Sequence, residues 1–222
     1  STATDTIAIN MVTQVVNGDG SISVGGGYGG AAGSQLGSQV SSAGDVNGDG
    51  FDDFIVGSAG KSYVVYGNSS GVGLELSNGS ISSDKGFVIT VPSGSGGKVS
   101  GAGDFNGDGF ADVIVGTEFF NNGSAYLVFG GANNSSLDIS SGVVDSTRGI
   151  IIKGQSNAYL GRSVGDAGDV NGDGFSDLIV GGMGTSSGGS YVVFGSRSPS
   201  DIDLSGGSCL LYTSPSPRDA HE

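Results

Sequence analysis

The sequence predicts an all-β protein, a partial β-propeller made of four-stranded antiparallel blades. Three observations support this prediction. The 222-residue chain contains 46 glycines, and they lack the strict three-residue period of collagen. Short runs rich in β-branched and aromatic residues recur between the glycines, as expected for strands joined by tight turns. One acidic nine-residue segment occurs three times at similar spacing, which indicates a repeat architecture.

The repeated segment reads Asp-x-Asn-Gly-Asp-Gly-Phe-x-Asp and occupies residues 45–53, 104–112 and 169–177. We call these segments acidic loops 1, 2 and 3. Side chains at loop positions 1, 3, 5 and 9 carry oxygen, and the glycines permit a tight turn that points them at one centre. Three carboxylates and an amide form a ligand set for a hard cation, and calcium tolerates irregular oxygen coordination.

The sequence therefore predicts three Ca²⁺ sites. Their side-chain ligands are Asp45, Asn47, Asp49 and Asp53 in the first loop, Asp104, Asn106, Asp108 and Asp112 in the second, and Asp169, Asn171, Asp173 and Asp177 in the third.

An EF-hand loop begins in the same way, but it needs a bidentate glutamate at position 12 and a helix on each side. Position 12 is Val56, Val115 or Val180 here, each within a β-type run. A dockerin-type loop, which also wants an acidic residue there and a following helix, is disfavoured for the same reason. Each site must therefore close at position 9.

Four strand-like segments define each unit. The first precedes the acidic loop and carries small residues, the second follows it, the third starts at Tyr63, Tyr126 or Tyr191, and the fourth covers 86–91 and 149–153. The second and third segments are nearly continuous apolar runs, which predicts strands buried on both faces. Radially stacked sheets with small residues near a central axis meet these requirements. A β-sandwich gives no reason for a repeat of about 60 residues.

The repeats predict the following organisation. Residues 1–35 form an N-terminal segment with a hairpin turn at Asn17-Gly-Asp-Gly20 that is not a fourth metal site. Residues 36–95, 96–158 and 159–208 form three units, the last of them incomplete. The tail, 209–222, breaks the pattern and is expected to be a non-native read-through product.

The composition of the chain argues against several classes of function. The formal net charge of −14 argues against nucleic acid as a partner. No apolar run approaches the roughly 18 residues of a membrane span. The single histidine and the single cysteine both lie in the tail, so Ser-His, Cys-His and His-zinc arrangements are absent from the units and we expect no enzymatic activity.

The units resemble the FG-GAP repeats of integrin α-chain propellers and their bacterial relatives. The resemblance rests on the Leu-Gly pairs at Leu36 and Leu160, the Ala-Gly that precedes each acidic loop, the loops themselves and the Ile-Val-Gly runs that follow them, over about residues 36–208. The second unit departs from this pattern, with Gly96-Gly-Lys98 in place of Leu-Gly.

The resemblance implies that each blade holds calcium in the hairpin loop between its first two strands. It adds the backbone carbonyl of position 7 as a ligand, from Phe51, Phe110 and Phe175. It also implies a seven-bladed propeller, of which this chain would hold about three blades, so we expect a fragment of a larger propeller.

Two functions are compatible with these features. The first is a secreted or cell-surface module for adhesion or interaction, with structural calcium and an extracellular protein or glycan ligand bound on the face opposite the acidic loops. Segment 117–123 is the candidate recognition loop, although Phe119 or Phe120 could instead pack beneath it. The alternative is an accessory propeller of a larger secreted hydrolase.

Overall fold

The computed structural model describes residues 35–69, 76, 79–92, 97–120, 123–184 and 189–204. Every regular element among them is a β-strand, which confirms the predicted all-β class. The predicted N-terminal hairpin and the tail, 209–222, lie outside the described residues. No helix capable of crossing a bilayer is found in the described part of the chain.

The described residues form thirteen strands. Their bounds are β1 Val40–Gly44, β2 Asp53–Ser58, β3 Lys61–Val65, β4 Gly86–Thr90, β5 Lys98–Gly103, β6 Asp112–Gly116, β7 Ser124–Val128, β8 Leu137–Asp138, β9 Gly149–Lys153, β10 Ser163–Gly168, β11 Asp177–Gly182, β12 Gly189–Val193 and β13 Ile202–Asp203.

The strands form three sheets, and successive long strands within each sheet pair antiparallel. The first sheet has the order β1-β2-β3-β4-β8, the second β5-β6-β7-β9-β13, and the third β10-β11-β12. The first two sheets contain the four strands that the sequence predicts for a blade. The third contains the first three of them.

The outermost strand of each five-stranded sheet was not predicted. Strands β8 and β13 are each two residues long. β8 pairs parallel with β4, and β13 pairs parallel with β9, in each case the fourth strand of the preceding unit. Each comes from the connection that follows the third strand of its own unit. One unit therefore completes the sheet of the unit before it.

Hydrophobic side chains fill the two spaces between adjacent sheets. Val113 and Val115 of β6 face the first sheet, where they join a cluster with Ile55 and Val64. Ile114, between them in sequence, faces the third sheet. This alternation explains the continuous apolar run, since successive side chains of a strand point to opposite faces. The predicted burial on both faces is confirmed for the second sheet.

The third sheet departs from that prediction. Leu178 and Val180 of β11 are buried against the second sheet, whereas Ile179 points the other way and is 42% exposed. No described sheet covers that second face. The prediction of burial on both faces is therefore wrong for β11 as the structure describes it.

The inner strands approach closely, as their small residues predict. A Cβ atom on Gly101 of β5 would stand 2.5 Å from the carbonyl oxygen of Ser42 in β1, which is closer than nonbonded atoms allow. The recurrent tyrosines at the start of the third strands pack in the core, since Tyr63 and Tyr126 are buried and Tyr191 packs against the cluster between the second and third sheets.

Candidate metal centres

Each acidic loop connects the first two strands of a sheet, β1 to β2, β5 to β6 and β10 to β11. The three loops thus lie at the same end of the three blades. A register shift occurs in each first strand just before the loop, at Gly44, Gly103 and Gly168. These glycines have φ values of 70°, 58° and 64°, a left-handed conformation that other residues rarely adopt. The glycine of each Ala-Gly pair therefore turns the chain into the loop.

The position-1 aspartate organises each loop by accepting backbone hydrogen bonds. In the first loop, Asp45 Oδ1 accepts from the N–H of Gly48 at 2.7 Å and of Asp49 at 3.0 Å, and Asp45 Oδ2 accepts from Gly50 N–H at 2.8 Å. Asp104 and Asp169 make the corresponding bonds at 2.6–3.1 Å. In all three loops the position-1 carboxylate therefore points onto the backbone of its own loop.

The residues at loop positions 3 and 5 are hydrogen-bonded to each other. Asn47 Oδ1 accepts from the backbone N–H of Asp49, while Asn47 Nδ2 donates to Asp49 Oδ2, both at 2.9 Å. Asp49 Oδ1 also accepts from Phe51 N–H at 2.9 Å. The second and third loops repeat this pattern through Asn106 with Asp108 and Asn171 with Asp173.

The position-9 aspartate lies at the base of the loop and has a structural role that the sequence analysis missed. Asp112 Oδ2 accepts from the N–H of Phe105, at position 2 of its loop, and Asp112 Oδ1 accepts from Gly130 N–H, just after β7. Asp53 and Asp177 make the same two bonds. We call this arrangement the aspartate latch, because it ties the acidic loop to the end of the third strand.

A sequence signal for the latch exists. A glycine recurs four residues after each third-strand tyrosine, at Gly67, Gly130 and Gly195. A Cβ atom on Gly130 would collide with the backbone carbonyl of Ala111. Only glycine lets this backbone N–H come close enough to the carboxylate.

Burial makes the latch carboxylates hard to ionise. Burial raises the pKa of Asp53 to about 6 and that of Asp112 to about 7, with smaller upward contributions from the neighbouring loop aspartates, although the two backbone N–H bonds lower it. Burial likewise raises the pKa of Asp177. A nearby cation would favour the ionised form of each group.

The candidate ligands fit a hard cation, because every candidate side-chain ligand atom in a loop is a carboxylate or amide oxygen. Each carboxylate oxygen of Asp53 and Asp112 accepts one backbone hydrogen bond and has a second lone pair. As they stand, the carboxylates instead fold onto the loop's own N–H groups. Within the part of the chain that the structure describes, no three acidic, histidine or cysteine side chains converge as a ready metal site.

A second candidate site lies at the opposite end of the blades. The connection from β6 to β7 carries Phe119, which is 66% exposed and meets the ring of Tyr159 edge-on at a centroid distance of 6.3 Å. Together with Arg162 and the exposed Met183, these residues border an apolar cavity of about 390 Å³. We call this cavity, lined by Phe119, Tyr159, Arg162 and Met183, the loop-face groove.

An ion pair fixes one side of the groove, and a backbone outlier lies beside it. Arg162 Nη1 donates to Glu118 Oε2 at 2.7 Å, and Glu118 is largely buried. Tyr159 has a φ of 48°, a strained backbone conformation of the kind that clusters at functional sites.

The open question about the two phenylalanines is resolved by their different positions. Phe119 is exposed in the groove, whereas Phe120 packs beneath the connection, where a Cβ atom on Gly142 would lie 2.5 Å from its ring.

Comparison with protein families agrees with this geometry. A model of the FG-GAP-like repeat matches residues 45–115, and a model of the FG-GAP repeat matches residues 162–193. The matched segments contain all three acidic loops. These matched segments are FG-GAP repeats. The predicted likeness of the FG-GAP units to integrin α-chains is also confirmed by the relatives below.

Three relatives illustrate the similarity. Bovine phosphatidylinositol-glycan-specific phospholipase D is 33% identical over 151 residues, covering 62% of this chain and 17% of the relative. Integrin alpha-PS5 of Drosophila melanogaster is 30% identical over 149 residues, covering 63% and 14%. Bovine integrin alpha-2 is 37% identical over 91 residues, covering 40% and 8%. The FG-GAP chain therefore spans less than one fifth of the length of each.

Proposed function

We propose that this FG-GAP chain is a calcium-binding extracellular interaction module in which calcium has a structural role. The observation that carries the proposal is the threefold repetition of one all-oxygen loop with a buried carboxylate at its base. Each ion would be held by the side chains at loop positions 1, 3, 5 and 9 and by the position-7 backbone carbonyl. When bound, it would supply positive charge beside three carboxylates.

A structural role is favoured over a sensor role by the attachment of the loops. A calcium sensor needs an element that moves on binding, such as a helix pair. Here the aspartate latch joins each acidic loop to the end of the third strand, and the described residues contain no helix. Ion binding would therefore tighten a fixed hairpin.

Calorimetric titration of calcium tests the assignment of ligands. We expect three bound ions in the parent chain and two in each of the variants Asp108→Ala and Asp173→Ala, because each removes the position-5 carboxylate of one loop. Asp138→Ala serves as the control, since this exposed aspartate lies outside the acidic loops and accepts hydrogen bonds from the backbone N–H and the side chain of Ser140. Retention of three ions in either loop variant would contradict the assignment.

We further propose that the loop-face groove binds an extracellular protein segment with an apolar side chain next to a carboxylate. The apolar cavity accepts the first group. Arg162 has N–H donors beyond the one used by Glu118, and a guanidinium already held in place suits a carboxylate. Among the residues near this end, Lys98 and Lys153 add positive charge at the ends of β5 and β9.

A methyl NMR titration tests the groove. The chain has two methionines, so methyl labelling of methionine yields a Met183 signal that Met183→Leu identifies. We expect the peptide Gly-Phe-Asp-Gly to shift this signal, and Phe119→Ser and Arg162→Gln to weaken that response by about tenfold, the scale of one lost charged contact. Val143→Ser is the matched control, because Val143 is equally exposed but lies outside the groove.

Two outcomes would contradict this choice of ligand. One is an equal shift with Gly-Phe-Lys-Gly. The other is a response that persists in both groove variants.

A second candidate function is favoured by the similarity to phosphatidylinositol-glycan-specific phospholipase D of cattle and humans, at 33% and 34% identity. On this proposal the module accompanies a catalytic domain of a larger secreted hydrolase, and the FG-GAP units themselves are not enzymatic. The complete reading frame of the gene distinguishes the two candidates by the presence or absence of such a domain.

A further inference from the structure

The aromatic side chain at position 7 of one acidic loop rests on the acidic loop of the preceding blade. A Cβ atom on Gly48, at position 4 of acidic loop 1, would stand 2.6 Å from Cε1 of Phe110 in acidic loop 2. Gly107 of acidic loop 2 meets the ring of Phe175 in acidic loop 3 in the same way. The contact therefore occurs at both described junctions, and glycine at position 4 is needed for it.

Backbone hydrogen bonds accompany this contact at both junctions. The carbonyl oxygen of Asp45 accepts from Ala111 N–H at 3.0 Å, and that of Asp104 accepts from Ser176 N–H at 3.1 Å. These bonds link position 1 of one loop to position 8 of the next. The candidate ligand residue at position 1 is thus bonded across the junction to the residue that follows the candidate ligand at position 7.

The position-2 residue provides a further link. The carbonyl oxygen of Val46 accepts from Gly131 N–H at 2.9 Å, and that of Phe105 accepts from Ser196 N–H at 3.0 Å. Gly131 follows Gly130, which donates to the latch carboxylate of Asp112. Acidic loop 1 and the latch carboxylate of acidic loop 2 are therefore hydrogen-bonded to two adjacent residues, Gly131 and Gly130.

We propose that the three calcium sites are energetically coupled, with Phe110 and Phe175 as positioning residues for the site in the preceding blade. The proposal rests on the proposed calcium binding. An ion that orders one acidic loop fixes its position-7 backbone, and the attached ring then restricts position 4 of the preceding loop. Because the preceding loop is then already partly ordered, it loses less conformational entropy when it binds its own ion. Calcium therefore binds with positive cooperativity.

An exposed apolar residue outside the acidic loops supplies the control. Val143 is 64% exposed and lies in the connection between β8 and β9. We expect Phe110→Ala to make the calcium isotherm of the full chain less steep and to weaken binding by about fivefold, the lower end of measured site-to-site coupling. Val143→Ala is expected to leave the isotherm unchanged, and Phe110→Tyr, which keeps the ring, is expected to bind calcium as steeply as the parent chain.

A second pair of variants keeps the test informative if Phe110→Ala unfolds the chain. Gly48 and Gly50 both have positive φ, at 78° and 87°, but a Cβ atom on Gly50 meets nothing within 4 Å. Each is changed to alanine in a chain whose acidic loop 1 is inactivated by Asp49→Ala. We expect Gly48→Ala to weaken calcium binding at the remaining sites and Gly50→Ala to leave it unaltered.

The outcomes separate the two proposals. Absence of any bound calcium in the parent chain would overturn calcium binding itself. Three ions that bind independently, with no difference between Phe110→Ala and Val143→Ala or between Gly48→Ala and Gly50→Ala, would overturn the coupling and leave calcium binding intact.

Discussion

We expect the melting temperature of the chain to fall by on the order of 20 °C when a chelator replaces calcium. At a hundredfold excess over Kd, one bound ion stabilises the folded state by about 2.7 kcal/mol, so three sites contribute about 8 kcal/mol. A domain of this size changes its melting temperature by about 2–4 °C per kcal/mol. Parallel melts in calcium and in EGTA, followed by far-UV circular dichroism, measure the difference.

Magnesium provides the control for this measurement. It demands nearly ideal octahedral geometry and loses its water ligands reluctantly, so an equal concentration of magnesium should restore little of the lost stability. Equal melting temperatures in calcium and in EGTA would refute a structural role for the ion.

The second large effect is expected from Asp112→Ala, measured by urea unfolding in EGTA. The substitution removes the acceptor of two N–H groups, those of Phe105 and Gly130, at a site with no solvent exposure. Each buried unsatisfied group costs about 1–3 kcal/mol, so we expect a loss of about 2–5 kcal/mol in the free energy of unfolding. This loss does not depend on calcium.

Asp108→Ala is the matched comparison in the same loop. Its carboxylate bonds an exposed backbone N–H and the Asn106 amide, both of which water can satisfy. In EGTA we therefore expect Asp108→Ala to unfold close to the parent chain. If Asp112→Ala were equally close to the parent chain, the aspartate latch would have no structural role.

Most of the fold was predictable because its signals are local. Each long strand is a short apolar run bounded by glycine or by an acidic loop, and segments 86–91 and 149–153 correspond to β4, Gly86–Thr90, and β9, Gly149–Lys153. The acidic loops were identifiable for the same reason, since the four candidate ligand side chains of each loop lie within nine consecutive residues. Burial on both faces also followed from the unbroken apolar sequence of β6.

The features that were missed depend on residues far apart in sequence. Strands β8 and β13 are too short for any periodic pattern, and their partners belong to the preceding unit. A repeated apolar-acid-apolar-serine motif at Leu137-Asp-Ile-Ser140 and Ile202-Asp-Leu-Ser205 marks them, but only the paired sheet gives it meaning. The second role of Asp112 was hidden likewise, because one of its donors follows β7.

The two residues of β8 also give the array a direction of assembly. Leu137 and Asp138 pair with the open edge of β4, and the N–H of the next residue, Ile139, donates to the carbonyl of Thr90. During synthesis that edge stays unpaired until the ribosome has delivered Leu137. Each blade is therefore finished by its successor, and any truncation between units exposes an aggregation-prone strand edge on the last blade that remains.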